Sequence, residues 1–376
     1  MRRASELERR SLNDTFAALC AIRSPWGEER VIADDLTRRL QALGLDVEED
    51  DTAPLTGAGA GNLLARIPGR DERTVLLCAH MDTVPHEGVV EPVLDDGAWV
   101  SAGDTILGAD NKAAVAVFLE VARRAVVEPP PVGIELLFTA SEENALAGSR
   151  AFDASRLRAD LGYVLDQASP IGEIVMGSPT SYQLEATFHG QSAHAGVRPE
   201  DGRSAIVAAA RAIAHLPQGR VDEQSSANVG WVRGGGEGTN VVAAHAAFAA
   251  EVRSHDPARA DELVAQMVDA IHDAANEPFC ACDVDLDVER VFPGYRHANS
   301  QLSVVAAENA LRACGYEPRR ILTGGASDAN NLEQAGLPVT NLANGTERNH
   351  RSDERVSVVA LEGMLDVVLA LIEELG

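Results

Sequence analysis

The chain is 376 residues long, 45% hydrophobic but only 4% aromatic, with a formal net charge of −26 at pH 7. That length suffices for one large or two ordinary domains. So acidic a surface repels a phosphate backbone, which excludes nucleic acid as a partner.

Residues 1–15 mix charges of both signs without an apolar segment, which argues against a secretory signal. No stretch approaches the roughly 18–20 apolar residues of a membrane helix, and the five scattered cysteines suit a reducing compartment. A cytoplasmic protein with no membrane partner is expected. Apolar positions at helical spacing predict helices over 5–22 and 28–43, the second stopping at Gly44. Strands follow at 62–67 and 74–79, joined by a turn at Pro68-Gly69. The run Gly57-Ala58-Gly59-Ala60-Gly61 follows no strand, opens no helix and lacks Gly-Lys-Ser/Thr, so it reads as a flexible loop rather than a phosphate cradle.

The 74–79 segment is apolar without alternation, as suits a parallel strand covered on both faces. It stops at His80-Met81-Asp82, and in such sheets ligands bind beyond the carboxyl ends of the strands. A hairpin around Asp95-Asp96-Gly97 precedes Gly108-Ala109-Asp110-Asn111-Lys112, from which 113–125 is helical. Asp110 either caps that helix or aims a carboxylate back at His80. Lys112 is the only lysine in the chain. It marks either a need for a compact point charge rather than a planar fork or a chance survivor in an arginine-biased composition.

A further apolar strand at 133–140 ends in Ser141-Glu142-Glu143-Asn144, whose adjacent carboxylates repel unless a cation or a shared proton compensates. The strand at 161–165 ends at Asp166, and that at 337–343 leads through Asn344-Gly345-Thr346 to His350. An amphipathic helix over 357–375 covers the sheet. Between 177 and 294 the pattern changes to strand 181–189, helix 201–216, strands 227–233 and 241–254, helix 257–275 and strand 282–291. The two middle strands flank the turn Gly234-Gly235-Gly236-Glu237-Gly238. That β-α-β-β-α-β order is ferredoxin-like. The expected fold is therefore α/β, with a mostly parallel central sheet in a discontinuous domain (1–177 and 294–376) and a smaller domain (178–293) inserted into it. Cys280-Ala-Cys282 has no partner pair at zinc-like spacing.

His80, Asp82, Asp110, Glu142, Glu143, Asp166 and His350 thus gather at strand ends and one helix start. Imidazoles and carboxylates without a thiolate suit zinc, cobalt or manganese. More carboxylates than one ion needs point to two metals sharing one of them.

The motifs His80-Met81-Asp82-Thr83-Val84, Gly108-Ala109-Asp110, Ser141-Glu142-Glu143 and Asn349-His350, with Gly190-Gln191-Ser192-Ala193-His194-Ala195-Gly196, span nearly the whole chain. Together they resemble the dizinc peptidases of the aminoacylase–glutamate carboxypeptidase superfamily, most closely the peptidase T-like branch. The resemblance implies a zinc-peptidase-like catalytic domain with an inserted lid through which two chains pair as a homodimer. It implies that His80 and Asp166 bind one zinc, Glu143 and His350 the other, and that Asp110 bridges both. Asp82 would orient His80, and Glu142 would be the general base. His194 would steady the developing oxyanion, in many dimeric members from the partner subunit. Asn240, Arg253 and the loop Gly324-Gly325-Ala326-Ser327-Asp328 would hold substrate. The activity so implied is release of N-terminal residues from tripeptides; deacylation of N-acyl amino acids on the same centre, or metal binding without catalysis, are the alternatives. Asn111, Ala114 and Gln167 depart from the commoner residues, which implies altered tuning of the centre and of substrate preference rather than lost metal binding.

Overall fold

Unbroken apolar strands need cover on both faces, and the chain supplies it with helices before and after them. In the computed structural model, which describes residues 3–236 and 238–376, the chain divides into two compact units, Met1–Gly177 with Arg296–Gly376, and Ser178–Tyr295. Among the described residues the main sheet of the first unit has eight strands. Their order is Val47–Glu49, Leu63–Ile67, Gly133–Thr139, Thr74–His80, Leu161–Gln167, Val339–Ala343, Glu173–Val175 and Arg319–Ile321. The central run from Gly133–Thr139 to Val339–Ala343 is parallel. Thr74–His80 is buried at every position after Thr74, so the sheet is covered on both sides.

The strands on either side of Pro68-Gly69 form as expected but are not neighbours in the sheet. Leu63–Ile67 runs antiparallel to Gly133–Thr139, which lies between it and Thr74–His80. The connection is long enough to pass over that strand, and it packs closely: a Cβ at Gly69 would collide with the backbone of Val132 and Gly133. The glycine run at 57–61 is not loose either. Gly59 donates its N–H to Glu29 Oε2 (2.6 Å), and Gly61 donates to Glu49 Oε1 (3.0 Å). Two carboxylates therefore satisfy the backbone that the small residues expose.

The helix Ala109–Val127 is buried through most of its length. The first helix, Glu6–Cys20, packs beside it and begins with a Ser5–Glu8 capping box. Glu8 also takes both ends of the Arg124 guanidinium, at 2.6 and 2.7 Å. These bonds, Arg124 first, hold the Glu8 carboxyl down at about 2, against an ordinary value of 4.5.

In the second unit an antiparallel sheet runs in the order Gly219–Arg220, Ser225–Gly234, His245–Ser254, Thr180–His189, Asp283–Phe292. The helices Ala205–His215 and Pro257–Ala275 supply the other half of its core. Alternate residues Leu184, Ala186 and Phe188, and Phe248, Ala250 and Val252, point into that core, with Phe188 and Phe248 rings 5.9 Å apart. The four long strands have the ferredoxin-like order. Of the glycine-rich turn, Glu237 lies outside the described residues. Among those described, no helix is long and apolar enough to cross a membrane.

A carboxyl whose pKa is depressed on folding adds stability above its unfolded value and loses it as pH falls. Glu8→Gln should therefore lower stability by about 1 kcal/mol at neutral pH. Thermal unfolding across pH should show that the gap to the parent is full above pH 4.5 and closes toward pH 2; a gap independent of pH would refute the Glu8–Arg124 account.

Candidate active site

Parallel register decides which side chains meet at the sheet's carboxyl edge. His80 is level with Thr139 on one side. On the other, Cys78 is level with Val164, which brings Asp166, two residues on, beside His80. Asp166 lies within its strand rather than after it. The strand Gly133–Thr139 continues into Ser141, whose left-handed backbone (φ 51°) turns the chain so that Glu142 and Glu143 follow at the same edge. His350 arrives on a hairpin loop closed by Thr346–Glu347 pairing with Arg355–Ser357.

The backbone of Asp110 is extended (φ −80°, ψ 109°), as a cap residue's would be, and regular helix starts only beyond Asn111. Its side chain is used elsewhere. The freed carboxylate stands between the two imidazoles: Oδ1 is 3.4 Å from His80 Nε2 and Oδ2 is 3.3 Å from His350 Nε2. A second carboxylate flanks each ring. Asp166 Oδ1 is 3.7 Å from His80 Nε2, and Glu143 Oε1 is 2.9 Å from His350 Nε2. The donor atoms of His80, Asp110 and Asp166 lie within 4.8 Å of one another, as do those of Asp110, Glu143 and His350 and those of His80, Glu142 and Glu143. Among the described residues these are the groups of such donors, so the Cys280-Ala-Cys282 pair belongs to none.

The electrostatics are those of a site short of positive charge. Burial pushes the carboxyls of Glu142 and Asp166 well above the usual range, with neighbouring acids adding to it. Burial also raises Asp110, but hydrogen bonds from His350 and His80 outweigh it and hold that carboxyl down. Bonds to the Asp110 and Glu143 carboxylates lift His350 to about 10. For His80, burial favours the neutral ring, and the bonds to Asp110, Asp166 and Asp82 override it. Asp110 Oδ1 is buried, and its imidazole neighbour, His80 Nε2 at 3.4 Å, is not aligned to complete a good hydrogen bond. An anionic oxygen in that state is costly unless a cation completes it. The donor set therefore fits divalent cations, with nitrogen and oxygen ligands at both ends and one carboxylate facing each way.

A layer of carboxylates beneath these residues holds the backbone. Asp82 lies under His80, whose Nδ1 is 3.1 Å from the Asp82 carbonyl and 3.5 Å from its carboxylate. The two Asp82 oxygens accept the N–H groups of Glu142 (3.0 Å) and Glu143 (3.1 Å). Sequence reasoning missed Glu29, Glu354 and the use made of Asp328. Glu29 accepts the Ser141 hydroxyl at 2.7 Å. Glu354 accepts three backbone N–H groups around Asp110. Asp328 anchors the Gly324-Gly325 loop by accepting the Thr139 hydroxyl at 2.6 Å. An acid that serves a distant backbone has no local signature, and only Asp328, inside a quoted motif, could have been flagged. Lys112 is fully buried, donates to the Ile22 carbonyl at 2.6 Å, and is pushed down to about 8 by that burial.

Within the second unit His194 is exposed and bridges Val241, so the strand expected from 241 begins only at His245. Its Nδ1 accepts the Gly196 N–H at 3.2 Å, which leaves the proton of the neutral ring on Nε2. Asn240 lies alongside, its carbonyl accepting the Ala195 N–H at 2.9 Å. Arg253 is elsewhere. It bonds Glu251 at 3.2 Å, lies over the Phe292 ring at 5.6 Å, and lines a cavity of about 390 Å³ with Gln183 and Trp231. His245 and Arg253 occupy opposite ends of one strand, roughly 26 Å apart by strand rise.

The sequence profile of peptidase family M20/M25/M40 matches residues 76–374. YqjE of Bacillus subtilis strain 168 is 37% identical over 369 residues, 98% of each chain. The structure of the aminopeptidase PepT of Bacillus cereus ATCC 10987 is similar with a TM-score of 0.88, at 38% identity over 97% of this chain and 98% of that one. A tripeptidase of Staphylococcus aureus subsp. aureus Mu50 gives a TM-score of 0.92, at 36% identity over the same shares. Likeness that extends over both units, and a profile that takes in every donor of the strand-edge cluster, place this chain in the peptidase family M20/M25/M40.

Proposed function

We propose that the protein is a dizinc aminopeptidase that releases the N-terminal residue of short peptides, tripeptides above all. The observation that carries this reading is the Asp110 carboxylate, shared between two imidazoles that each have a further carboxylate beside them. His80 and Asp166 would hold one cation, His350 and Glu143 the other, with Asp110 common to both; the absence of a thiolate among the donors favours zinc, cobalt or manganese over softer ions. When bound, the pair supplies Lewis-acid polarisation of the scissile carbonyl and a nucleophile at neutral pH.

Glu142 does the proton work. Its environment raises its proton affinity, and its position is set by the N–H bond to Asp82. It takes a proton from the attacking water and returns it to the leaving amine, as a general base that becomes a general acid. His194, with Nε2–H outward, donates to the oxygen that gains charge. Asn240 and the Gly324-Gly325 loop hold the peptide backbone, and the Arg253 fork suits a terminal carboxylate.

An extended tripeptide spans at most about 11 Å, less than half the separation of the two ends of the lid strand. His194, bridged to Val241 beyond one end of that strand, and Arg253 near its other end are therefore better placed to serve one substrate from two copies of the lid than from one. The edge strand Ser225–Gly234 supports such pairing. Gly219–Arg220 covers it only at Ser226 and Ala227, and Val232 and Ile206 are exposed. An open apolar edge of this kind recruits another strand. We read the protein as a homodimer through this face; free cysteines throughout support a cytoplasmic setting.

Zinc-loaded enzyme assayed on tripeptides, their N-acetyl forms and N-acyl amino acids should cleave only those with a free amine. Preference for the N-acyl set would replace the aminopeptidase with a deacylase. Glu142→Gln should lower kcat by about 10²–10⁴-fold with zinc content by elemental analysis unchanged; retained turnover would remove the assigned base. Glu142→Gln and His194→Ala chains, each inactive alone, should regain activity when mixed and allowed to exchange subunits, and no recovery would place His194 in its own chain's site.

A further inference from the structure

Glu354 sits four residues beyond His350 in the same hairpin loop and is 2% exposed. Its carboxylate reaches across to the start of the helix Ala109–Val127. Oε2 accepts the N–H groups of Leu107 (2.9 Å) and Gly108 (2.8 Å), and Oε1 accepts that of Asp110 (2.9 Å). A helix start normally finds such an acceptor in its own cap residue. Here the turn that leads into the regular helix takes its acceptor from 244 residues away. Gly108 has the left-handed φ of +74°, and a Cβ on it would lie 3.3 Å from Thr83 Cγ2, so the turn favours glycine there. Two residues past Asp110, Lys112 pins the other side of the turn to the Ile22 carbonyl. The backbone of Asp110 is thus held from both sides in the extended conformation that sends its carboxylate to the imidazoles.

We propose that Glu354 is a positioning residue that locks Asp110 to the loop carrying His350, so that the shared carboxylate stands ready between the two ligand sets before any cation arrives. Both partners of the Asp110–His350 contact then move as one body. The site calls for a carboxylate. Three N–H donors converge on it, and the amide of glutamine would turn its own NH₂ against at least one of them. This inference rests on the two-cation reading above and deepens it.

The test is a double-mutant cycle on zinc affinity, measured by competition with a fluorescent chelator on the metal-free full-length chain. Its members are the parent, Glu354→Gln, Asp110→Asn and the pair, with thermal unfolding of each in parallel. Glu354→Gln should weaken zinc binding by about 10- to 100-fold. In the Asp110→Asn background the same change should have less than about a twofold effect, because the residue through which it acts has already been altered. Equal affinity of Glu354→Gln and parent, or equal weakening in both backgrounds, overturns the inference and leaves Glu354 a general stabiliser. Parent chain that takes up no zinc sinks the two-cation reading and this inference with it. Should Glu354→Gln fail to fold, Glu354→Asp, which keeps the charge and shortens the reach, enters the same cycle with the same criteria.

Discussion

The carboxylate of Asp110 reaches toward His80 with one oxygen and toward His350 with the other. Around it, Glu142, Asp166, Asp82, Asp328 and Glu354 are also buried or nearly so, and Lys112 is the lysine among them. Packing that many acids into one low-dielectric region is unfavourable unless positive charge is added or protons are shared. The shifts follow that logic. Burial drives Glu142 and Asp166 toward their neutral forms, and Asp110 and Glu143 draw the His350 ring toward its charged form. A pair of divalent cations would remove the conflict.

Placement of these groups is a property of the parallel sheet. Register puts His80 and Asp166 side by side and sends Glu142 and Glu143 out of the neighbouring strand. What the sheet leaves undetermined, a second set of carboxylates fixes. Glu29 holds the turn at Ser141, Asp82 holds the N–H groups of Glu142 and Glu143, and Glu354 holds the turn at Asp110. In each case an acid accepts donors from a loop that carries a member of the strand-edge cluster. Preorganisation of this kind is what a metal centre requires of its surroundings. The acidity of the chain is therefore partly architectural.

The second unit answers a different demand. Its sheet and helices form a separate core around Phe188 and Phe248, so it can keep its shape as a body distinct from the catalytic unit. Its sheet also separates His194, bridged to Val241 just before the strand His245–Ser254, from Arg253 near that strand's other end.

Much of this was legible in the residues. Buried strands announce themselves by unbroken apolar runs, and the inserted unit by alternation, because both patterns are local consequences of side-chain direction. The residues that stop those runs, from His80 to His350, were therefore readable as a set. Strand order was not, since Gly133–Thr139 slips between two strands that are neighbours in the sequence. Asp110 could be read as a cap or as a carboxylate aimed at His80, and only the long-range contacts of its oxygens separate the two. Glu29 and Glu354 look like any glutamate, because their work is to accept hydrogen bonds from distant backbone. The sequence by itself determined which segments are buried and which side chains stand at their ends. The tertiary structure alone decided which ends meet and what holds them there, because those are contacts across long stretches of chain that no local pattern encodes.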